Sequence, residues 1–75
     1  MEYLVRWKLK EFLESHGKTT YALMKASGIS QATMYTITGG KKTGVDFSTL
    51  GAIIHGLEQM LGKPVGVEDV LEVVR

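Results

Sequence analysis

Several features that would indicate other classes of protein are absent from this 75-residue chain. It has no cysteine, which excludes disulfides and gives no sign of an oxidising compartment. The two histidines, His16 and His55, stand far apart without an acidic cluster at ligand spacing, so we predict no metal site. No apolar run approaches the roughly 20 residues of a membrane span, and the opening residues lack a secretory pattern. We therefore expect one small cytoplasmic domain, residues 1–75, with no membrane contact, cofactor or small-molecule ligand.

The net charge of +1 hides an uneven distribution of charge along the chain. Residues 1–44 carry seven lysines or arginines against three glutamates, a balance of +4. Residues 45–75 carry two basic side chains against five acidic ones, a balance of −3. This distribution is typical of a nucleic-acid-binding protein whose basic half faces the nucleic acid and whose acidic half faces away from it. Ordinary solvated surface charge gives the same pattern.

Residues 19–38 have the pattern of two short helices joined by a tight turn. Apolar residues at helical spacing open the stretch, and Gly28 stands where the first helix must end in a left-handed conformation. Ser30 then precedes a second helix as its N-cap, with Met34 and Ile37 as the buried stripe. Two helices joined this closely must cross steeply, which leaves the outer face of the second free to enter a groove. The pattern predicts a helix-turn-helix.

The rest of the chain adds three more predicted helices. One covers residues 8–15, and a longer one begins after Asp46 as its N-cap and ends before Pro64. A fifth, short helix is expected around residues 67–71, and both termini hold β-favouring residues that could form a short strand pair. The predicted fold class is all-α, with five short helices and an optional N- and C-terminal strand pair. The apolar stripe of the fourth helix is expected to be Phe47, Leu50, Ile53, Ile54, Leu57, Met60 and Leu61.

Two glycines, Gly51 and Gly56, fall inside the fourth helix. Each costs a helix interior roughly 1 kcal/mol relative to alanine. We expect close approach of a neighbouring helix to compensate for this cost.

With its five helices placed, the chain resembles the phage-repressor and Cro-like helix-turn-helix family, also called the xenobiotic-response-element family. The resemblance covers roughly residues 8–71, and in particular the chain is similar to short stand-alone bacterial domains with a strand-like aromatic and basic start. It departs from many relatives because the exposed face of helix three has no arginine or lysine. The residues that carry the resemblance are Leu9 and Leu13, Thr19–Leu23, Gly28-Ile29-Ser30, Ile37 with Gly40-Lys41, Asp46 with Leu50, and Val65 with Val70-Leu71.

This resemblance implies sequence-specific binding of double-stranded DNA, with helix three in the major groove. It places base contacts at Gln31, Ala32, Thr33 and Thr36. Their chemistry agrees, because a glutamine amide can pair with adenine N6 and N7, and alanine or threonine methyl groups can pack on a thymine methyl. The simpler alternative is that these are ordinary surface residues of a helix.

Phosphate contacts are expected from other places. The N-terminus of helix two favours an anion, and Thr20 offers a hydroxyl there. Tyr35 could pack its ring on the fold while its hydroxyl reaches a phosphate. A glycine-rich turn after helix three can lie against the DNA backbone and supplies Lys41, Lys42 and Thr43.

We also expect a homodimer, because one motif this small reads only a few base pairs. Two-fold pairing would double the site that is read and bury apolar surface that a short chain has little means to cover. The terminal strands could pair within one chain or between two chains. The candidate interface residues are Tyr3, Leu4, Val5, Trp7, Val70, Val73 and Val74.

The function most consistent with these features is transcriptional regulation by a repressor, and no constellation of catalytic side chains suggests an enzyme. Two alternatives from other classes stay open. The chain could be the antitoxin of a toxin–antitoxin pair, with a toxin protein as its partner, or an interaction adaptor that has lost DNA binding. A gel shift with random DNA separates the adaptor from the other two, and a neighbouring toxin-like reading frame would favour the antitoxin.

Overall fold

The computed structural model describes residues 4–39 and 46–74, which form two short strands and four α-helices. No helix in this part of the chain is long and apolar enough to cross a membrane. In chain order the elements are β1 (Leu4–Trp7), α1 (Leu9–Ser15), α2 (Thr20–Ser27), α3 (Gln31–Thr38), α4 (Phe47–Leu61) and β2 (Leu71–Val74).

The expected fifth α-helix is wrong, because its residues form a single 3₁₀ turn, Val67–Asp69. The chain enters β2 directly after the turn, and the Val70 carbonyl oxygen accepts from the Lys8 N–H at 2.8 Å instead of from an amide of a longer helix. The described fold therefore has four α-helices and a two-stranded sheet, which corrects the prediction of an all-α fold with five helices.

The expected strand pair is present, and it forms within one chain. β1 and β2 are antiparallel, with Val5 opposite Val73 and Trp7 opposite Leu71. Because side chains alternate across a sheet, these four share one face, while the other face carries the next pair, in which Arg6 opposes Glu72.

The face of the sheet that carries Arg6 and Glu72 has an ion-pair network. The Arg6 guanidinium contacts Glu72 through Nε, and its Nη2 lies 2.9 Å from Glu11 Oε2 on α1. The hydrogen bond to Glu72 raises the pKa of Arg6 above its ordinary value. One cation of the basic half is thus paired within the chain, and it does not add to a DNA-facing charge.

The core lies where α2, α3 and α4 meet the inner side of α1 and the sheet. Its buried members include the predicted stripe of α3, Met34 and Ile37, at 0 % and 1 % exposure. Phe47 does not belong to it: this residue is 86 % exposed, because it is the first residue of α4 and precedes the part of the stripe that is buried. The buried hydrophobic residues are Trp7, Leu9, Leu13, Leu23, Met34, Ile37, Ile53, Leu57, Val65 and Val70.

The two glycines of α4 have different surroundings. A Cβ added at Gly56 would lie 3.0 Å from Ser27 Cβ and 3.1 Å from Leu23 Cδ1, both on α2. A Cβ at Gly51 would meet nothing within 4 Å. The expected close approach of a neighbouring helix is therefore confirmed at Gly56 and wrong at Gly51.

Candidate nucleic-acid interface

The turn between α2 and α3 is fixed by local hydrogen bonds. The Thr19 hydroxyl caps α2 by accepting from the Ala22 N–H at 3.1 Å, and the Ser30 hydroxyl caps α3 by accepting from the Thr33 N–H at 3.3 Å. Between them Gly28 has φ +77°, the left-handed conformation that glycine adopts without steric cost. The predicted Ser30 cap and Gly28 turn are confirmed, and together with the Thr19 cap they set the direction in which α3 leaves α2.

One face of α3 is left exposed by this packing. With Met34 and Ile37 in the core, Ala32 and Thr36 point outward, one helical turn apart. The side chains of Gln31 and Tyr35 flank them and are also exposed, whereas Thr33 is half-buried. The structure thus gathers all the base-contact candidates of the sequence on one helix.

Hydrogen bonds within α3 decide which polar groups on this face are available. The Thr36 hydroxyl donates to the Ala32 carbonyl oxygen at 2.8 Å, so it presents its methyl group and its oxygen lone pairs to a ligand. The Thr33 oxygen accepts from the Ser30 hydroxyl at 3.1 Å, so its own hydrogen is left to donate. The Gln31 amide has no hydrogen-bond partner within residues 4–39 and 46–74, and it can both donate and accept.

An open groove of about 520 Å³ adjoins this face. It brings together Thr20 and Tyr35, two of the phosphate contacts expected from the sequence, and adds Lys10 of α1. Sequence reasoning missed Lys10, since no local pattern indicates that α1 packs beside α3. The residues that line the groove are Lys10, Thr20, Tyr35, Thr36, Thr38 and Gly39.

The groove has the chemistry of an anion site. Thr38, like Thr36, donates its hydroxyl hydrogen to a carbonyl of its own helix, in this case that of Met34 at 3.0 Å. The Lys10 ammonium and the Thr20 and Tyr35 hydroxyls have no such partner in the described part of the chain. One cation and two hydroxyl donors are therefore free to face a phosphate, close to the N-terminus of α2.

Other predicted contacts fall outside this arrangement. Lys41, Lys42, Thr43 and Tyr3 lie outside the described residues.

The interface candidates divide by their burial. Trp7 and Val70 belong to the core of the chain itself, at 7 % and 0 % exposure. Val5, Val73 and Val74 are exposed, at 50 %, 52 % and 40 %. Of the described interface candidates, these three valines thus have side chains that are open to a contact with a second chain, and Leu4 pairs with Val74 at the start of β1.

Two capped helices, a left-handed glycine between them and an exposed polar face on the second define a helix-turn-helix protein. Residues 8–58, about two thirds of the chain, match the model of the Cro/C1-type HTH DNA-binding domain, and the chain belongs to this family. This confirms the resemblance to Cro-like domains and, in general terms, a DNA-binding regulator. The chain has no significant match among curated proteins or among solved structures.

Proposed function

We propose that this chain is a sequence-specific transcriptional repressor that binds double-stranded DNA as a homodimer, with α3 in the major groove. The observation that carries the proposal is the exposed face of α3, with its unpartnered Gln31 amide, in a chain of the Cro/C1 type. A dimer occupying an operator would repress by blocking access to the DNA that it covers.

The base-reading surface consists of Gln31, Ala32, Thr33 and Thr36. Gln31 pairs with an adenine, and the methyl groups of Ala32 and Thr36 contact thymine methyls. Since the described face of α3 carries no arginine or lysine, the bidentate contact typical of guanine is absent from it. We therefore propose a half-site that contains A·T pairs at the positions facing α3.

Phosphates are bound on either side of this face. Lys10, Thr20 and Tyr35 hold one in the groove beside α2, and this assignment is supported by their free donors. Lys41, Lys42 and Thr43 are proposed to bind the backbone beyond the end of α3. These contacts fix the position of α3 and do not distinguish sequences.

Selection of bound DNA from a random duplex library tests the proposal. The expected result is a near-palindromic site with A·T pairs in each half and half-site centres roughly 34–36 Å apart. An Ala32→Asp variant is the control, because it places a carboxylate on the exposed face and should enrich no sequence. Failure of the wild-type chain to enrich any sequence would contradict the proposal, as would an asymmetric site that binds one protomer.

A further inference from the structure

A second surface of the chain, away from α3 in sequence, combines exposed apolar side chains with a charged rim. Its floor is Val5, Val67, Leu71 and Val73, in an open groove of about 540 Å³ that we call the valine groove. Val5, Val67 and Val73 are 47–52 % exposed. Its rim is formed by Lys8, Glu68 and Glu72.

The valine groove continues the apolar face of the sheet. Trp7 and Leu71 occupy the inner end of that face, where Trp7 is buried in the core, and Val5 and Val73 occupy its outer end. On the opposite face Arg6 contacts Glu72 and Glu11, and Val74 is exposed beside them at 40 %. Val5 and Val73 leave a continuous apolar surface exposed on the face of Trp7 and Leu71, which is the arrangement of an interaction site.

The rim shows what kind of surface would fit. Glu72 is already paired with Arg6, but Lys8 and Glu68 have no ion-pair partner within residues 4–39 and 46–74. The groove therefore carries one positive and one negative side chain that do not pair with each other. A second copy of the groove, related by a two-fold axis, offers the complementary charges. In such a contact the Lys8 of each chain would face the Glu68 of the other, because an isologous interface uses the same patch twice.

We propose that the valine groove is the homodimer interface, formed by packing of Val5, Val67 and Val73 against the same residues of a second copy and by Lys8–Glu68 ion pairs across the two-fold axis. This interface rests on the proposed function, because it is the surface by which the repressor dimerises.

Analytical ultracentrifugation of the 75-residue chain without DNA, from micromolar to submillimolar concentration, tests it. The wild type is expected to show a reversible monomer–dimer equilibrium. Val73→Asp should raise the dimer dissociation constant at least about tenfold, because it buries two like charges at the contact. Tyr21→Asp is the control, since Tyr21 is 64 % exposed on α2 and lies outside the groove. A chain that stays monomeric throughout, or a Val73→Asp variant that dimerises as tightly as the wild type, would overturn the proposal.

A charge exchange gives a second test that does not depend on the stability of β2. Lys8→Glu and Glu68→Lys should each weaken the dimer, and the double variant should recover the wild-type dissociation constant. A double variant no tighter than the weaker single one would overturn the proposed arrangement.

The Ala32→Asp variant separates this inference from the proposed function. It should lose DNA binding and keep the wild-type dimer. A wild type that dimerises but enriches no DNA sequence would contradict the proposed function alone, and a monomer that binds a specific site would contradict this inference alone.

Discussion

The exposed face of α3 and the valine groove are both open to solvent, yet their side chains suit different partners. The face of α3, with its adjoining groove, offers a free amide, hydroxyl groups and the Lys10 ammonium. The valine groove offers aliphatic side chains and two unpaired opposite charges. The first set matches base edges and phosphates, and the second matches another apolar protein surface. The net charge of +1 is a sum over the whole chain, so it does not reveal that these two surfaces differ in chemistry.

The largest effect is expected at Gln31, on the exposed face of α3. Gln31→Ala is expected to cost about 1–3 kcal/mol of binding free energy on the selected site and to relax the base preference at one position per half-site. Binding to random DNA and dimerisation should stay unchanged. Fluorescence anisotropy with the selected and a random duplex measures this.

The matched control is Gln59→Ala, which removes an exposed glutamine from α4 and should have no effect on either duplex. An equal loss of affinity on both duplexes for Gln31→Ala would make that residue a positioning contact and would remove the base-reading role.

The two glycines of α4 test the packing of the helices that hold α3. Gly56→Ala should destabilise the fold by about 1 kcal/mol, because the overpacking against Leu23 and Ser27 exceeds the gain in helix propensity. Gly51→Ala, in open space on the same helix, should stabilise the fold by about 0.5–1 kcal/mol. Urea denaturation of both variants measures the difference. Equal effects of the two substitutions would show that α2 and α4 do not meet at Gly56.

The smallest expected effect is at Lys10. Lys10→Ala should weaken binding alike on all sequences and lower the slope of log K against log salt by about 1. The Lys41→Ala/Lys42→Ala double variant should lower it by about 2. Lys63→Ala removes an exposed lysine that follows α4 and serves as the control. An unchanged slope for Lys10→Ala would exclude the groove beside α2 as a phosphate site.

The helix-turn-helix could be predicted from the sequence because its signals are local. Thr19 and Ser30 each bond to an amide three residues on, and Gly28 takes its left-handed conformation at the turn itself. The apolar spacing of Met34 and Ile37 then identifies the buried side of α3, so its exposed side follows.

The parts that the sequence did not indicate depend on contacts between distant residues. Val70 was assigned to a helix, but its carbonyl accepts from Lys8, and no local pattern near Val70 shows that bond. Lys10 reaches the groove only because α1 packs beside α3. The exposure of Phe47 has the same origin, since periodicity indicates an apolar stripe without showing where its buried part begins.

An NMR titration of the isotope-labelled chain with its selected duplex reports on both surfaces at once. The largest amide shift changes are expected at Thr20 and over residues 31–36, with small changes at Val5 and Val73. Shift changes confined to β1 and β2, with residues 31–36 unaffected, would contradict the claim that α3 reads DNA.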